Sequence, residues 1–406
     1  MEELENKYID LILMRCINFD QSKSLMVHCE LKEHFRFAEK IKKRANELGI
    51  FDVCIHSEDH DEIHEYLKNT DVDDIVLNPL IDRSDWERYA LKGGALVFLN
   101  SNVPGLMDDI PEEKMNKMVN ERAKSIQYYR ANASKYTFPW CLVTLPNERW
   151  AKSVLGNIDN AYEKLFLNIM KMCMVDRENP VEAWNEHIRK NNYYKNVLND
   201  LDIRTIHFTN SLGTDLTIGM PDEHVWLNLD KPDAHGGMII TNMPSYEIFS
   251  TPDYRKTNGI VYSSRPLLYN NLSIEDFYLV FKNGEVVEAH AKQGDKALKR
   301  LIFEHENANR LGEIALVPAD SPISNTGLVF NTTLFDENAS CHFAVGRGFA
   351  RSFVGYENLS EEELVKRGYN VSPVHVDMMF GTADLEATAE TKEGKKLIFK
   401  NGNFNI

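Results

Sequence analysis

Near Asp202 the hydrophobic periodicity of this chain changes. Before it, short apolar runs alternate with helical patterns; after it, β patterns follow one another with little interruption. The first region predicts strands over 24–29, 51–55, 95–99 and 140–145. Helices are expected over 35–45, 61–67, 112–131, 161–174 and 181–201. Strands separated by helices imply a parallel sheet with helices on its faces. The second region predicts strands over 205–209, 216–219, 238–241, 277–281, 285–289 and 396–399, with one helix over 296–309. Asn283-Gly284 lies between two β runs and marks a hairpin, and Asn401-Gly402 marks a second. A chain of 406 residues exceeds the ~250–300 at which a single core stops growing. The expectation is therefore an α/β domain with a mostly parallel sheet over 1–203, followed by a β-rich α+β catalytic domain over 204–406.

Composition narrows the partners. Lys and Arg number 46 against 62 Asp and Glu, a net charge of −16, and the basic runs are short pieces of amphipathic helix such as Lys40 to Arg44. Neither nucleic acid nor an anionic membrane surface suits such a chain. The acidic start, MEELENKYID, lacks the basic and apolar regions of a signal peptide, and no apolar stretch approaches the ~20 residues of a membrane span. The six cysteines (16, 29, 54, 141, 173 and 341) are scattered without a CxxC, as expected for reduced thiols in a cytoplasm. No glycine-rich nucleotide fingerprint opens a helix, and no Gly-x-Ser-x-Gly elbow is present.

The chemistry is concentrated in the second region. In Val374-His375-Val376-Asp377-Met378-Met379 the histidine and aspartate lie two apart, so a strand would project both from one face of an apolar segment. Such a pair is either a buried His–Asp hydrogen bond or a pair of metal ligands. Glu313 in Gly-Glu-Ile-Ala-Leu-Val, Glu247 in Pro-Ser-Tyr-Glu-Ile-Phe, and His342 with Asp336 and Glu337 upstream sit in similar apolar surroundings. A buried carboxylate must be partnered, protonated or bound to a cation. Mixed carboxylate and imidazole donors suit zinc, cobalt or manganese better than calcium.

Five blocks in the second region carry a resemblance: HFTNSLGTDLTIGM (207–220), NMPSYEIFSTPD (242–253), LGEIALVPADSPIS (311–324), LFDENASCHFAVG (334–346) and NVSPVHVDMMFGT (370–382). In this order they resemble the thermophilic metalloaminopeptidases, the family of the aminopeptidase T and S type. The resemblance implies metal ligands at Glu247, Glu313, His342, His375 and Asp377, with Glu337 a further ligand or supporting residue. Two carboxylates beyond the His–Asp pair suffice for two divalent ions per chain (zinc, cobalt, manganese or magnesium), and the expected mechanism has Glu313 bridging them and Glu247 as ligand or general base. Peptides with a free N-terminus are the implied substrates, and a homodimer the implied assembly. One departure stands out: the family commonly has tyrosine where this chain has Phe349, and Arg347 or Tyr246 are the nearby candidates for its role.

Two other readings compete. His342, His375 and Asp377 form a two-histidine, one-carboxylate set suited to a mononuclear Fe(II) ring-cleaving dioxygenase on a related fold. A non-catalytic binding protein that kept the fold is the other. His56, His60 and His64 recur every four residues and would stack on a helix face, although the acidic residues between them mark a solvated cluster and a cap for a helix starting near Asp61. Cys341 next to His342 suggests a thiol nucleophile, but strand neighbours point to opposite faces. His207 and His235 read as strand and turn residues. Trp226 and Tyr262 line a pocket or pack in a core.

Overall fold

The computed structural model describes residues 1–19, 24–76, 87–89, 93–133, 135–234, 236–269 and 272–406. Contacts divide the chain into two compact units, Met1–Glu186 with Asp230–Pro244, and His187–Leu229 with Ser245–Ile406.

The first unit is built on a parallel sheet in the order Asn242–Met243, Trp140–Thr144, Ala95–Asn100, Ser24–Cys29, Asp52–Ser57. Ser24–Cys29 is buried along its whole length, as a central strand covered on both faces must be. Phe37, Ala38, Ile41 and Ala45 form the buried stripe of helix Phe35–Glu47. Asp59 caps helix His60–Asn69 by accepting the Asp61 and Glu62 amides. The helix expected over 112–131 is interrupted at Ile126 into Glu112–Ser125 and Gln127–Ala133. An N-terminal helix, Glu2–Leu11, runs into a π-helical turn at Ile12–Cys16.

The second unit holds two sheets among the described residues. One is antiparallel and nine-stranded, with Thr205–Thr209 and Glu386–Thr391 at its centre. Its hairpin at Asn283-Gly284 has φ of 51° and 83°, and Asn401-Gly402 has 48° and 68°, the positive values that tight hairpins need. The other sheet has five strands: β1 (Leu227–Asn228), β2 (Ile248–Ser250), β3 (Leu311–Leu316), β4 (His342–Gly346) and β5 (His375–Met379), adjacent in that order and antiparallel throughout. Ile248, Ile314, Leu316, Phe343, Val345 and Met378 join one apolar core with Phe208, Phe281 and Phe399 of the nine-stranded sheet. The alternate residues of β2 to β5 therefore occupy the opposite face.

The change of periodicity near 202 and the division by contacts do not coincide. The contacts divide the chain inside helix Pro180–Asp200 and return Asp230–Pro244 to the first unit. The physical reason is Asn242–Met243, which adds to the parallel sheet beside Trp140–Thr144.

Candidate metal centre

Register places the polar residues on the face of the five-stranded sheet away from the core. Asp377 on β5, Ala344 on β4 and Glu313 on β3 are cross-strand neighbours in one row. His375 lies opposite Gly346, and His342 lies between Met379 and Ala315. Glu247 immediately precedes β2 and alternates with Phe249. Small residues (Ala315, Ala344 and Gly346) thus form the floor between longer donor side chains.

Glu313 owes its direction to a bulge. Leu311 and Glu313 are two apart and would share a face in a regular strand, yet Leu311 belongs to the apolar core. The register shifts between them, with Leu311 opposite Val345 and Glu313 opposite Ala344. An extra residue in one strand re-aims the side chain that follows it. Gly312 occupies that point because a Cβ there would stand 2.3 Å from the Arg347 carbonyl oxygen.

Two groups of donor atoms result. Glu247, Glu313 and His342 form one, and Glu313, His375 and Asp377 the other, with the chosen atoms of each within 4.8 Å of one another. Glu247 Oε2 is 3.3 Å from His342 Nε2. Glu313 Oε2 is 3.2 Å, and Asp377 Oδ1 3.5 Å, from His375 Nε2. Main-chain carbonyls orient both rings. His342 Nδ1 lies 2.9 Å from Glu337 O and 3.1 Å from Ser340 O, while His375 Nδ1 lies 2.6 Å from Arg347 O. A carbonyl only accepts, so each Nδ1 carries the proton and donates it. Each Nε2 is left directed at the carboxylates, the arrangement found around metal-bound histidines.

Charge in the site is out of balance. Glu247, Glu313, Glu337 and Asp377 face two imidazoles with little solvent. Burial is the main influence pushing the Glu313 carboxyl up to about 7, with Asp377 and Glu247 adding to it. Burial and the same two neighbours push Glu337 well above the usual carboxylate range. His342 is raised to about 10 by Glu247, Glu313 and Asp377 against the opposing effect of burial, and His375 is raised by Asp377 and Glu313 in the same way. Asp377 is held below its ordinary value by His375, although burial opposes this. Its Oδ1 is buried without a hydrogen bond of normal geometry. An orphaned carboxylate oxygen, oriented imidazoles and an excess of acids are the properties of a cation site.

All six residues singled out in the sequence thus converge. Glu337 lies in neither donor group but contacts Asp377, and Asn338 Nδ2 donates to its Oε1 at 3.3 Å. Asn338 Oδ1 also accepts the Tyr246 amide at 2.7 Å, which ties the Glu247 segment to helix Thr333–Glu337.

The two candidates for the tyrosine's role are engaged elsewhere. Arg347 donates to Ser372 O and Tyr369 Oη, and Tyr246, 3% exposed, packs on His187. Phe349 stands edge-on to His375 with ring centres 4.9 Å apart, and Phe249 packs on Phe349 at 5.3 Å. Phe249 carries no motif or charge that marks it in the sequence, and only its alternation with Glu247 puts it on the same face. The supporting carbonyls of Glu337, Ser340 and Arg347 belong to the main chain and leave no signature.

Away from the donor groups, the histidine series is the one reading that departs from expectation. His56 does not stack on a helix with His60 and His64. It lies in strand Asp52–Ser57, because the Asp59 cap starts the helix at His60, and its Nδ1 meets that of His28 at 2.9 Å. Cys341 bonds with Val317 in the core, on the side opposite His342. His207 lies in strand Thr205–Thr209 and pairs with Asp215 of the adjacent strand, Trp226 is fully buried, and Tyr262 packs on Tyr278. His235 lies outside the described residues. His342 falls in a different donor group from His375 and Asp377, so the set required by a mononuclear iron dioxygenase is not one of the groups formed among the described residues.

Comparison with known proteins identifies the family and the fold. Aminopeptidase PepS of Streptococcus thermophilus is 32% identical over 409 aligned positions, covering 100% of this chain and 98% of PepS. The structure of wild-type AmpT from Thermus thermophilus superposes with a TM-score of 0.92 at 27% identity, covering 100% of this chain and 99% of that one. A 2,5-dihydroxypyridine dioxygenase from Pseudomonas putida KT2440 shares the fold at a TM-score of 0.51 and 10% identity, covering 99% and 96%. The family model described as thermophilic metalloprotease (M29) matches residues 1–404, and the chain belongs to that family.

Proposed function

We propose that the protein is a metal-dependent aminopeptidase that removes the first residue of peptides using two divalent cations. The observation that carries this reading is Glu313, the one residue common to both donor groups. Glu247 and His342 would hold one cation, His375 and Asp377 the other, and Glu313 both. Mixed nitrogen and oxygen donors favour zinc, cobalt or manganese over magnesium. Bound there, such a pair supplies Lewis-acid polarisation of a carbonyl and a nucleophile from water at neutral pH.

The chain's own residues do the rest. Glu247 and Glu313 would be engaged as ligands, which would leave Glu337, outside both donor groups, as the carboxyl to exchange a proton. Burial, with Asp377 and Glu247 adding to it, raises its carboxyl well above the usual carboxylate range. Beside Asp377, Glu337 would be placed to take a proton from water and return it to the leaving amine. The Nδ1 hydrogen bonds of His342 and His375 keep both rings from rotating during the cycle.

No helix among the described residues is long and apolar enough to cross a membrane. The proposed location is the cytoplasm, supported by six cysteines that form no disulfide, and the proposed assembly is a homodimer, on the family resemblance alone. The test of function is metal content of protein purified without chelator, paired with hydrolysis of leucine p-nitroanilide. About two ions per chain are expected, with activity lost to chelator and restored by cobalt or zinc. One iron per chain without peptide hydrolysis would overturn the reading.

A further inference from the structure

The aromatic pair beside the donor groups has no part in holding a cation. Phe349 follows β4, and its backbone is fixed by Thr251, whose Oγ1 accepts the Phe349 amide at 2.8 Å and donates to its carbonyl at 3.2 Å. The ring so placed remains 38% exposed. One edge meets the His375 ring, and Phe249 supports it from β2. Phe249 is itself only partly buried, between Ala315 of β3 and Leu227 of β1 in cross-strand register. An apolar wall therefore begins where the polar donors end.

Distance gives that wall a role. In an aminopeptidase substrate the first side chain, the free amine and the scissile carbonyl all depend on one Cα or its neighbour, within roughly 4 Å. The pocket for the first side chain must then adjoin the residues that hold the cations. Phe349 meets this requirement directly, because its ring touches His375. A rigid aromatic wall gains contact area from a branched or aromatic side chain, little from a methyl group, and none from a carboxylate.

Building on the aminopeptidase reading above, we infer that Phe349, backed by Phe249, forms the wall of the subsite for the substrate's first side chain and selects large apolar residues there.

The test compares kcat/KM for leucine, alanine and aspartate p-nitroanilides in cobalt-loaded wild-type, Phe349→Ala and Phe349→Tyr proteins. Binding of free leucine and free alanine, followed by calorimetry, gives a readout independent of turnover. Wild-type protein should prefer leucine over alanine by roughly tenfold or more, the scale on which apolar pockets discriminate. Phe349→Ala should abolish most of that preference in both kinetics and binding, with metal content unchanged, while Phe349→Tyr keeps it. An equal fall on all substrates, or an unchanged leucine-to-alanine ratio, would overturn the inference and leave the aminopeptidase reading standing. Wild-type protein inactive on every amide would overturn both.

Discussion

Glu313 and Asp377 stand two strands apart on one row of the sheet, and only the methyl group of Ala344 rises between them. Ala344 is fully buried, and its successor Val345 faces the apolar core. Neighbours in β4 thus face opposite ways, one toward the candidate metal centre and the other into the apolar core. Ala344→Val is expected to lower metal content sharply while costing about 1–3 kcal/mol of stability through crowding. Val345→Ala should show the reverse, a comparable loss of stability from the vacated core with metal content retained. Elemental analysis beside thermal unfolding of the apo proteins checks both, and similar metal losses in the two variants would contradict the two-faced arrangement.

The sharing of Glu313 sets the stoichiometry expected of ligand variants. Glu313→Gln should leave the protein with close to no tightly bound ions, because both groups lose a member. His342→Ala or Asp377→Asn should lose roughly one ion and keep the other weakly, since each belongs to one group. Activity should fall by two orders of magnitude or more in all three. Titration of apo protein with cobalt, followed by absorbance, distinguishes one site from two. A Glu313→Gln protein that still binds two ions with wild-type affinity would remove Glu313 from the centre.

Protonation of the donor groups leads to a pH dependence. Glu313 is pushed up to about 7 and His342 to about 10, with His375 and Glu337 also raised. Ligands bind cations only when deprotonated, so loading must expel these protons. Affinity should rise with pH through neutrality and weaken as pH falls below 7, where Glu313 retains its proton. Calorimetric titration with zinc in two buffers of different ionisation enthalpy should report release of roughly two protons or more per chain at pH 7. Release of none would mean that the ligands are already deprotonated and the acids separately neutralised.

How far the sequence carried depends on the range of each relationship. His375 and Asp377 were legible as a pair because alternation within one strand is local. So were the Asn-Gly hairpins and an acidic cap before a helix near Asp61, each settled by residues within a few positions. The placement of Glu313 was not, because it rests on a bulge at Gly312 whose cause is the Arg347 backbone across the sheet. The convergence of Glu247, Glu313 and His342 depends on strand register, which periodicity does not encode, and was reached by resemblance to a family. The return of Asp230–Pro244 to the first unit hinges on a two-residue strand, too short to carry a pattern. Helix Glu2–Leu11 escaped because its capping residue, Met1, offers no side-chain signal.

A last prediction concerns stability away from the metal centre. His187 lies in helix Pro180–Asp200 against the Tyr246 ring at 4.9 Å, and burial lowers its imidazole from 6.5 to about 4. Between these values the unfolded chain binds a proton that the folded chain refuses. Unfolding therefore takes up a proton, and stability falls as pH drops through this window. The full effect approaches about 3 kcal/mol at pH 4 and below, at ~1.4 kcal/mol per unit of displacement. In His187→Gln that penalty is absent, although the substitution costs packing at every pH. Urea unfolding of the apo proteins at pH 7 and pH 4.5 checks this. The variant is expected to be less stable than wild type at pH 7 and to close or reverse the gap by roughly 2 kcal/mol at pH 4.5. Titration of the metal ligands is common to both proteins and cancels in the difference. A gap that stays constant between the two pH values would show that His187 accepts its proton in the folded state, and that its burial does not govern acid stability.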